Sequence, residues 1–411
     1  MEGDVSFKYS PLDFVFTALG LLFFLSDIAL DVVAVVHFYH DGDLVCLGLL
    51  VGFLVGSSVL GQLFSWLWYR YEDFERHTCA ERSVSTAGLR GLHLLQLGVY
   101  LRYVGVLEVA LCSLWSKRRA PRNTAVYLSH DLALLRLVET FSESSPQLVL
   151  MLTVMLRSGD WRDPVTMLKA LGSASAIACS VTLYHRSLRS FLPDKAQQGA
   201  LSSLLYFAWN LLLIFPRLVA LALFAHALPC YIFTHFLCCW AVLLFLAWCA
   251  GTSLMDSAGG EWLYRATVGL IWYFSWFNVT EGNTARRCIL YHTWMLADLV
   301  LLCGLACWRT LDAPPGAAVL SPCIAIVMSG VVLGVYLGGI LLKLLYYRFC
   351  HPKLESSPSA RSSDGMTDGE PSPDLLKPMK LCAYAGDVSN ITVDGDQVDS
   401  RDLSWLVREV S

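Results

Sequence analysis

Ten long apolar stretches run through the chain between residues 12 and 347, and they limit the possible folds more than any other feature. About 20 apolar residues in a helix cross the roughly 30 Å of hydrocarbon in a bilayer, and a helix satisfies its own backbone groups there. Of the 411 residues, 55% are hydrophobic and only 16% are charged. The pattern predicts an all-α polytopic membrane protein. The predicted segments are approximately 12–38, 44–69, 90–115, 131–156, 164–185, 200–227, 230–250, 261–280, 288–308 and 319–347.

The basic residues between these segments predict the topology. Because Lys and Arg are enriched in cytosolic loops, five basic stretches should face the cytosol. They are 70–90, 117–122, 186–195, 286–287 and 343–353. A complete crossing by the third segment would place one of the first two outside, so we expect this segment to be re-entrant, and the eighth for the same reason. The expected domain has eight transmembrane helices, two re-entrant helices and both termini in the cytosol.

The order of the segments suggests two pseudo-repeats, about 12–190 and 200–349, within a membrane domain of residues 1–349. From residue 350 to 411 the composition shifts to Ser, Pro, Asp, Gly and Lys, which predicts a disordered cytosolic tail. Its last residues regain an apolar face through Leu403, Leu406 and Val407, as in a short docking helix. The first apolar segment is too long and too acidic for a removable signal peptide.

Several function classes are disfavoured. A net charge of -4 without a basic patch argues against nucleic acid as a partner. The cysteines lack the spacing typical of zinc sites, and there is no GxxxxGK[ST] phosphate loop. We therefore expect no metal, no cofactor and no enzymatic activity. Cys307 and Cys323 flank one short loop and could form a disulfide if that loop is extracellular.

Two pairs of acids lie inside apolar segments. Asp27 and Asp31 are four residues apart in the first segment, and Glu139 and Glu143 are four apart in the fourth, so each pair shares a helix face. A charge at bilayer depth costs at least a few kcal/mol, so these acids require partners or water. One interpretation is a hydrated polar surface. The other is structural, with the acids protonated or paired with arginines. The candidate arginines are Arg102, Arg136 and Arg217.

Two further features have competing interpretations. Pro216 removes one hydrogen bond within segment six and could kink it, or it could be an ordinary proline of a membrane helix. The aromatic residues Trp272, Tyr273, Trp276 and Phe277 could gate a path through the domain, although packing or anchoring at the membrane interface explains them as well.

Seven motifs of this chain resemble those of the XK-related membrane proteins, over about residues 12–353. They are DIALD at 27–31, LFSWLWYR at 63–70, LRLVETFSESSPQLVL at 135–150, LPDK at 192–195, FPR at 215–217, EWLYR at 261–265 and YFSWFNVTEG at 273–282. That family includes the Kell blood-group partner XK and the caspase-activated phospholipid scramblases of apoptosis. The resemblance implies eight spans with two re-entrant helices, a plasma-membrane location and passive exposure of phosphatidylserine, which promotes engulfment. It also implies a basigin- or neuroplastin-like single-span partner of the immunoglobulin family.

The resemblance also implies site residues. The charged positions that match the family inside the membrane domain are Asp27, Asp31, Glu139, Glu143, Arg217 and Asp298. They would form a polar path on which phospholipid headgroups cross. Leu183 is a departure, because an acid is expected at that position in the apoptotic members.

The tail contains Asp396-Gln-Val-Asp399 followed by Ser400, the form of site that an executioner caspase cleaves. Asp368 and Asp394, each followed by glycine, are secondary candidates.

Two alternatives to lipid translocation remain at this point. The same carboxylates could serve an ion-coupled solute transporter as proton or cation sites. The chain could instead be a non-transporting subunit that stabilises a single-span glycoprotein.

Overall fold

The structure, a computed structural model, describes residues 11–115, 122–160, 164–191, 199–279, 284–312 and 320–350. These residues form helices without strands, as predicted. The helices are α1 (Pro11–His40), α2 (Leu44–Tyr71), α3 (Cys79–Arg82), α4 (Thr86–Leu94), α5 (Gly98–Trp115), α6 (Arg122–Glu139), α7 (Ser145–Ser158), α8 (Pro164–Phe191), α9 (Ala200–Ala227), α10 (Tyr231–Cys249), α11 (Ala258–Phe274), α12 (Thr284–Leu311) and α13 (Pro322–Leu345). A π-helical turn, Thr140–Ser144, joins α6 to α7.

Seven helices of the described residues are long and apolar enough to cross a membrane, so the chain is a multi-pass membrane protein. They are α1, α2, α8, α9, α10, α12 and α13. These seven correspond to seven of the eight predicted spans. The eighth, predicted at 131–156, is the helix that runs through α6, the π turn and α7, and its lower hydropathy reflects the polar side chains that it carries.

The third predicted segment is not a straight helix. It divides into α4 and α5, and the chain changes direction by 117° between them. Gln96 at the bend has a φ of 64°, and the next helix begins at Gly98, where a Cβ atom would lie 2.5 Å from the ring of His93. Glycine at this position therefore permits the ring to pack across the bend. The sharp bend agrees with the predicted re-entrant path.

The eighth predicted segment is α11, which has 17 residues and spans about 25 Å. It ends where Ser275 adopts an extended conformation, and the described chain stays non-helical up to Val279. The helix is thus too short for a perpendicular crossing, as expected for a re-entrant segment. The aromatic residues at its end are packed inside the domain. Trp272 stacks on Trp276, and its indole N–H donates to the carbonyl of Phe277.

Helix α9 is the central element, and it packs against α7, α8, α12 and α13. Of its most apolar 18-residue stretch, 67% is buried, which is the highest value among the candidate spans. Pro216 does not interrupt it, because the helix continues to Ala227. A close contact with α13 occurs at Gly339, where a Cβ atom would lie 3.0 Å from the backbone of Leu212. This core supports the polar groups described below.

Arg102 fixes the bent pair to the rest of the domain. Its guanidinium donates to Ser65 Oγ at 3.0 Å and to Asp131 Oδ2 at 3.2 Å, and Tyr69 lies under it with 4.2 Å from Cζ to the ring centre. Arg102 is only 2% exposed, as expected for a residue of a partly buried helix. Because three elements converge on one buried cation, its neighbours are positioned tightly.

Glu72 lies beside this group, at the end of α2, and is 6% exposed. Its Oε1 has no hydrogen-bond partner among the described residues. Burial, reinforced by the nearby Asp131 carboxylate, raises the pKa of Glu72 to about 8. The side chain is therefore neutral in the folded protein at pH 7.

The remaining structural predictions have different outcomes. Cys307 and Cys323 are both free, so the disulfide between them was wrong; Cys307 Sγ instead contacts Ser329 Oγ at 3.3 Å. The tail from residue 351 onward, including Asp396, Asp399 and Ser400, lies outside the described residues. The proposed pseudo-repeats stay a prediction.

Stability should fall as the pH rises from about 5 to 8, and Glu72 should cause part of that fall. An unfolded glutamic acid loses its proton near pH 4.5, whereas folded Glu72 keeps it to about pH 8, so the folded state binds more protons between these values. The contribution should reach the order of 1–3 kcal/mol. We expect Glu72→Gln to flatten the dependence of the melting temperature on pH and to raise it at pH 9. Asp312→Asn, whose side chain is 65% exposed, is the control and should match the wild type. Equal slopes for wild type and Glu72→Gln would contradict the assignment.

Candidate functional site

The acids of α1 face the helix that runs through α6 and α7. Asp27 Oδ2 accepts hydrogen bonds from Arg136 at 3.2 Å and from Ser144 Oγ at 3.1 Å. One turn later, Asp31 Oδ1 accepts a 2.7 Å bond from the amide of Gln147. The spacing of four residues therefore places both carboxylates against the same neighbour, as the sequence predicted.

A π-helical turn positions the acids of the second pair. Within it, the N–H of Ser145 bonds to the carbonyl of Thr140, five residues back, and the hydroxyl of Ser145 bonds to the same carbonyl at 3.0 Å. Pro146 follows directly and has no N–H to donate, which weakens the ordinary four-residue ladder here. Single π turns of this kind occur often at functional sites.

Glu139 directly precedes that turn, Glu143 lies within it, and the two have different partners. Glu139 Oε1 is 2.7 Å from Arg136 Nη1. Glu143 instead lies close to Asp31 and to Ser57 of α2, within range of electrostatic interaction with both. The two acid pairs thus meet across the helix interface. We call Asp27, Asp31, Arg136, Glu139 and Glu143 the acidic cluster.

The acidic cluster has more acids than bases. Among the described residues, its ion pairs all involve Arg136, which contacts Asp27 and Glu139. No basic side chain of the described residues lies within ion-pair distance of Asp31 or Glu143. Two carboxyl groups that close together repel when both are ionised, so the site requires a proton, a cation or water as compensation. The paired interpretation of the acids therefore holds for Asp27 and Glu139 only.

Part of the acidic cluster reaches the surface of the helical domain. The side chains of Asp27 and Glu139 are 24% and 22% exposed, whereas Asp31 and Glu143 are each 7% exposed. The outer face of α1 beside them is apolar and exposed, as shown by Leu22, Leu25 and Leu30. The carboxylates therefore form a polar strip, open at one side, next to a surface suited to acyl chains.

The other two predicted site residues form a separate group. Arg217 on α9 is completely buried and pairs with Asp298 on α12. Its Nε donates to the carbonyl of Tyr273 at 3.2 Å, and the ring of Tyr273 lies 5.0 Å away. The other oxygen of Asp298 contacts His235 Nε2 at 3.0 Å. Here each charge has an opposite partner, unlike in the acidic cluster.

The six predicted residues thus lie in two groups that share no hydrogen bond or ion pair among the described contacts. The sequence indicated the acids but not the groups that hold them in place: Ser144, Gln147, His235 and Tyr273. These residue types are common in packed helices, and only the folded structure brings them to the acids. Leu183, at the position expected to be acidic, lies on α8 beside Gly20 of α1, where a Cβ atom would be 3.4 Å away. It contributes apolar packing instead of charge.

Comparison with known proteins agrees with this architecture. The family model described as XK-related protein matches residues 15–352. The chain is 44% identical over 382 residues to XK-related protein 8 of Tetraodon nigroviridis, covering 91% of this chain and 92% of that protein. The chain belongs to the XK-related family.

Two other relatives agree. XK-related protein 8 of Gasterosteus aculeatus is 44% identical over 367 residues, covering 87% of this chain and 89% of that protein. XK-related protein 8 of Pan troglodytes is 37% identical over 363 residues, covering 86% and 87% respectively. As a member of the XK-related family, the chain has its acidic cluster and its Arg217–Asp298 pair inside the region that the family model matches.

Removing Arg136 should destabilise the domain by leaving two partly buried carboxylates without a cation. We expect Arg136→Gln to cost on the order of 3 kcal/mol, because breaking a buried pair leaves an uncompensated charge. Adding Glu139→Gln should recover part of the loss. The measurement is the melting temperature of the detergent-purified protein, followed by tryptophan fluorescence. Arg309→Gln is the matched control, since Arg309 and Asp312 have the same three-residue spacing but are 49% and 65% exposed. Similar losses in Arg136→Gln and Arg309→Gln would contradict this view of the cluster.

Proposed function

We propose that this chain is a phospholipid scramblase of the plasma membrane, with both termini in the cytosol, which exposes phosphatidylserine after caspase cleavage of its tail. The observation that carries the proposal is the acidic cluster, in which two of the four carboxyl groups pair with Arg136 and the other two have no ion pair among the described residues. A headgroup loses its hydration in hydrocarbon at a prohibitive cost. A strip of fixed carboxylates and water would replace that hydration while the acyl chains stay in lipid.

The chemistry of the strip suits the cationic part of a headgroup. The ammonium groups of phosphatidylserine and phosphatidylethanolamine, and the choline of phosphatidylcholine, are drawn to carboxylates that have no protein cation of their own. Asp31 and Glu143 are such carboxylates. Asp27 and Glu139 are already paired with Arg136, so they offer a more balanced surface. This arrangement would favour transit of several headgroups over tight binding of one.

Passive flow of this kind requires no nucleotide, and it runs in the direction set by existing lipid gradients. Exposure of phosphatidylserine on dying cells would then promote their engulfment. The basigin- or neuroplastin-like partner implied by the family resemblance is part of this proposal, with a role in bringing the chain to the plasma membrane.

The tail would keep the closed state. In our proposal an executioner caspase recognises Asp396 and Asp399, cuts before Ser400 and releases residues 400–411. In the proposal the apolar residues Leu403, Leu406 and Val407 of this segment dock on the cytosolic side of the membrane domain. Loss of the docked segment would shift the population toward an open path.

An ion-coupled solute transporter is the second candidate, and the contact of Asp31 with Glu143 favours it, because such a pair can hold a proton or a cation. A non-transporting subunit of a glycoprotein complex is the third alternative. The three candidate functions predict different results in an experiment with liposomes that contain fluorescent lipid. A scramblase makes inner-leaflet lipid accessible to an external quencher, a transporter moves solute across the sealed vesicle, and a subunit does neither.

The acidic cluster should determine the rate of lipid exchange. We expect the caspase-cut protein to scramble, and Asp31→Asn with Glu143→Gln to slow it on the order of tenfold, the effect of losing a charge-assisted contact. This double change leaves the pairs of Arg136 intact, so the fold should be retained. Glu75→Gln is the control for loss of an exposed acid. A third variant neutralises Asp27 and Glu139 in addition. If both this variant and the double variant exchange lipid as fast as the wild type, the proposal that lipid crosses along the acidic cluster is wrong.

Mutation of the cleavage site tests the switch in cells. Asp399→Ala should abolish phosphatidylserine exposure during apoptosis, because the inhibitory segment stays attached, while surface expression is unchanged. Annexin binding and surface labelling measure the two quantities. Asp368→Ala and Asp394→Ala are matched controls that leave the proposed bond intact. If exposure persists in Asp399→Ala but is lost in either control, the cut lies elsewhere in the tail.

A further inference from the structure

Three side chains of different chemistry converge between α10 and α12. His235 and Cys239 are one turn apart on α10, and Asp298 faces them from α12. His235 Nε2 lies 3.0 Å from Asp298 Oδ1 and 3.5 Å from Cys239 Sγ. The three potential ligand atoms all lie within 4.8 Å of one another. An imidazole nitrogen, a thiol sulfur and a carboxylate oxygen thus surround one point.

We propose that His235, Cys239 and Asp298 form a binding site for a zinc-like divalent cation. Bonds of about 2.0 Å to nitrogen and oxygen and about 2.3 Å to sulfur, in tetrahedral geometry, separate the ligand atoms by about 3.3–3.6 Å. The observed separation of nitrogen and sulfur falls in this range, and the nitrogen-to-oxygen distance requires a shift of only about 0.3 Å. A thiolate with an imidazole favours zinc, cobalt or cadmium over magnesium or calcium. Three protein ligands leave the fourth position for water.

The groups around the three ligands are arranged as at known metal centres. The other ring nitrogen of His235, Nδ1, lies 3.0 Å from the hydroxyl of Tyr273, and the other oxygen of Asp298 is held by Arg217. Contacts of this second layer fix the orientation of ligands and strengthen metal binding. Each of these two ligands is therefore already held on the side that faces away from the site.

Binding would change protons at two defined atoms. Cys239 gives up its thiol proton to bind as the thiolate, and His235 Nε2 must present its lone pair, so the ring carries its proton on Nδ1 and donates it to Tyr273. The hydrogen bond between His235 and Asp298 is replaced by two bonds to the metal. The thiol proton leaves to solvent, and Arg217 stays on the second oxygen of Asp298. The metal and Arg217 carry three positive charges against two negative charges on the thiolate and the carboxylate, so hydroxide at the fourth position would complete the compensation.

The location gives the site a structural consequence. Helix α10 is the most exposed of the candidate spans, because only 11% of its most apolar 18-residue stretch is buried. Helix α12, in contrast, packs against the central α9. A cation held by both helices would fasten α10 to the core. This inference does not depend on lipid transport.

The test uses the full-length protein in detergent, stripped with chelator and titrated with Co²⁺ and then Zn²⁺. We expect the visible bands of tetrahedral Co²⁺ with a thiolate charge-transfer band, lost when Zn²⁺ displaces it. Cys239→Ser should remove the charge-transfer band and weaken binding at least tenfold, and His235→Gln should also weaken it. Cys238→Ser is the matched control, because Cys238 is adjacent but is absent from the group of converging ligands. It should bind as the wild type does.

Two further measurements keep the outcome decisive if a variant misfolds. X-ray absorption on the zinc-loaded wild type should report one sulfur with nitrogen and oxygen neighbours. Zn²⁺ should raise the melting temperature of the wild type and of Cys238→Ser but not of Cys239→Ser. The absence of a thiolate band in the wild type would overturn the proposed site. An unchanged band in Cys239→Ser would overturn it too, because the metal would then be bound elsewhere on the chain.

Discussion

Every ionised side chain inside a membrane domain must be compensated, and the way in which this is done distinguishes the parts of this protein. Arg217 has no exposed surface, yet a carboxylate, a backbone carbonyl and an aromatic ring surround it. Arg102 is held in a similar way by Ser65, Asp131 and Tyr69. The acidic cluster is different, because it has four carboxyl groups and one arginine, which pairs with Asp27 and Glu139 only. Charged side chains that have opposite charges beside them hold helices together. A group with excess negative charge instead attracts water and cations, and the proposed passage of a headgroup requires that property.

The packing of the helices supports the same division. Helix α9 forms the buried centre, since 67% of its most apolar 18-residue stretch is buried, whereas the value for α1 is only 19%. Polar bonds from Asp27 and Asp31 to the α6–α7 helix fasten the inner face of α1, and its outer face is open to lipid. Apolar packing of Ala34 and Phe38 against α2 and α7 holds the C-terminal part of α1 as well. The polar strip therefore lies beside a helix whose outer face is open to lipid, which suits the path that we propose.

Much of this architecture could be predicted from the sequence, because apolar length and the distribution of basic residues are local properties. All ten segments correspond to helical regions, and the 117° bend lies inside the third, where charge alone indicated a re-entrant path. What failed, or was missing, depended on contacts between distant residues. The Cys307–Cys323 disulfide was wrong because proximity along a loop does not determine the direction of the thiols. The site formed by His235, Cys239 and Asp298 was not foreseen, because its ligands come from two helices that are far apart in sequence and resemble no zinc motif.

For the lipid translocation that we propose, the two polar groups also constrain where a headgroup can travel. Drawing a headgroup past Arg217 would require the breaking of a buried ion pair, at a cost of several kcal/mol. Passing Asp31 and Glu143 breaks no protein ion pair, since neither has a basic partner among the described residues. Translocation along the first half of the domain is therefore favoured, and the sequence-based expectation that Arg217 and Asp298 line the same path has less physical support. Their arrangement suits the fastening of α9 and α12, and a cation bound at His235 and Cys239 would extend that fastening to α10.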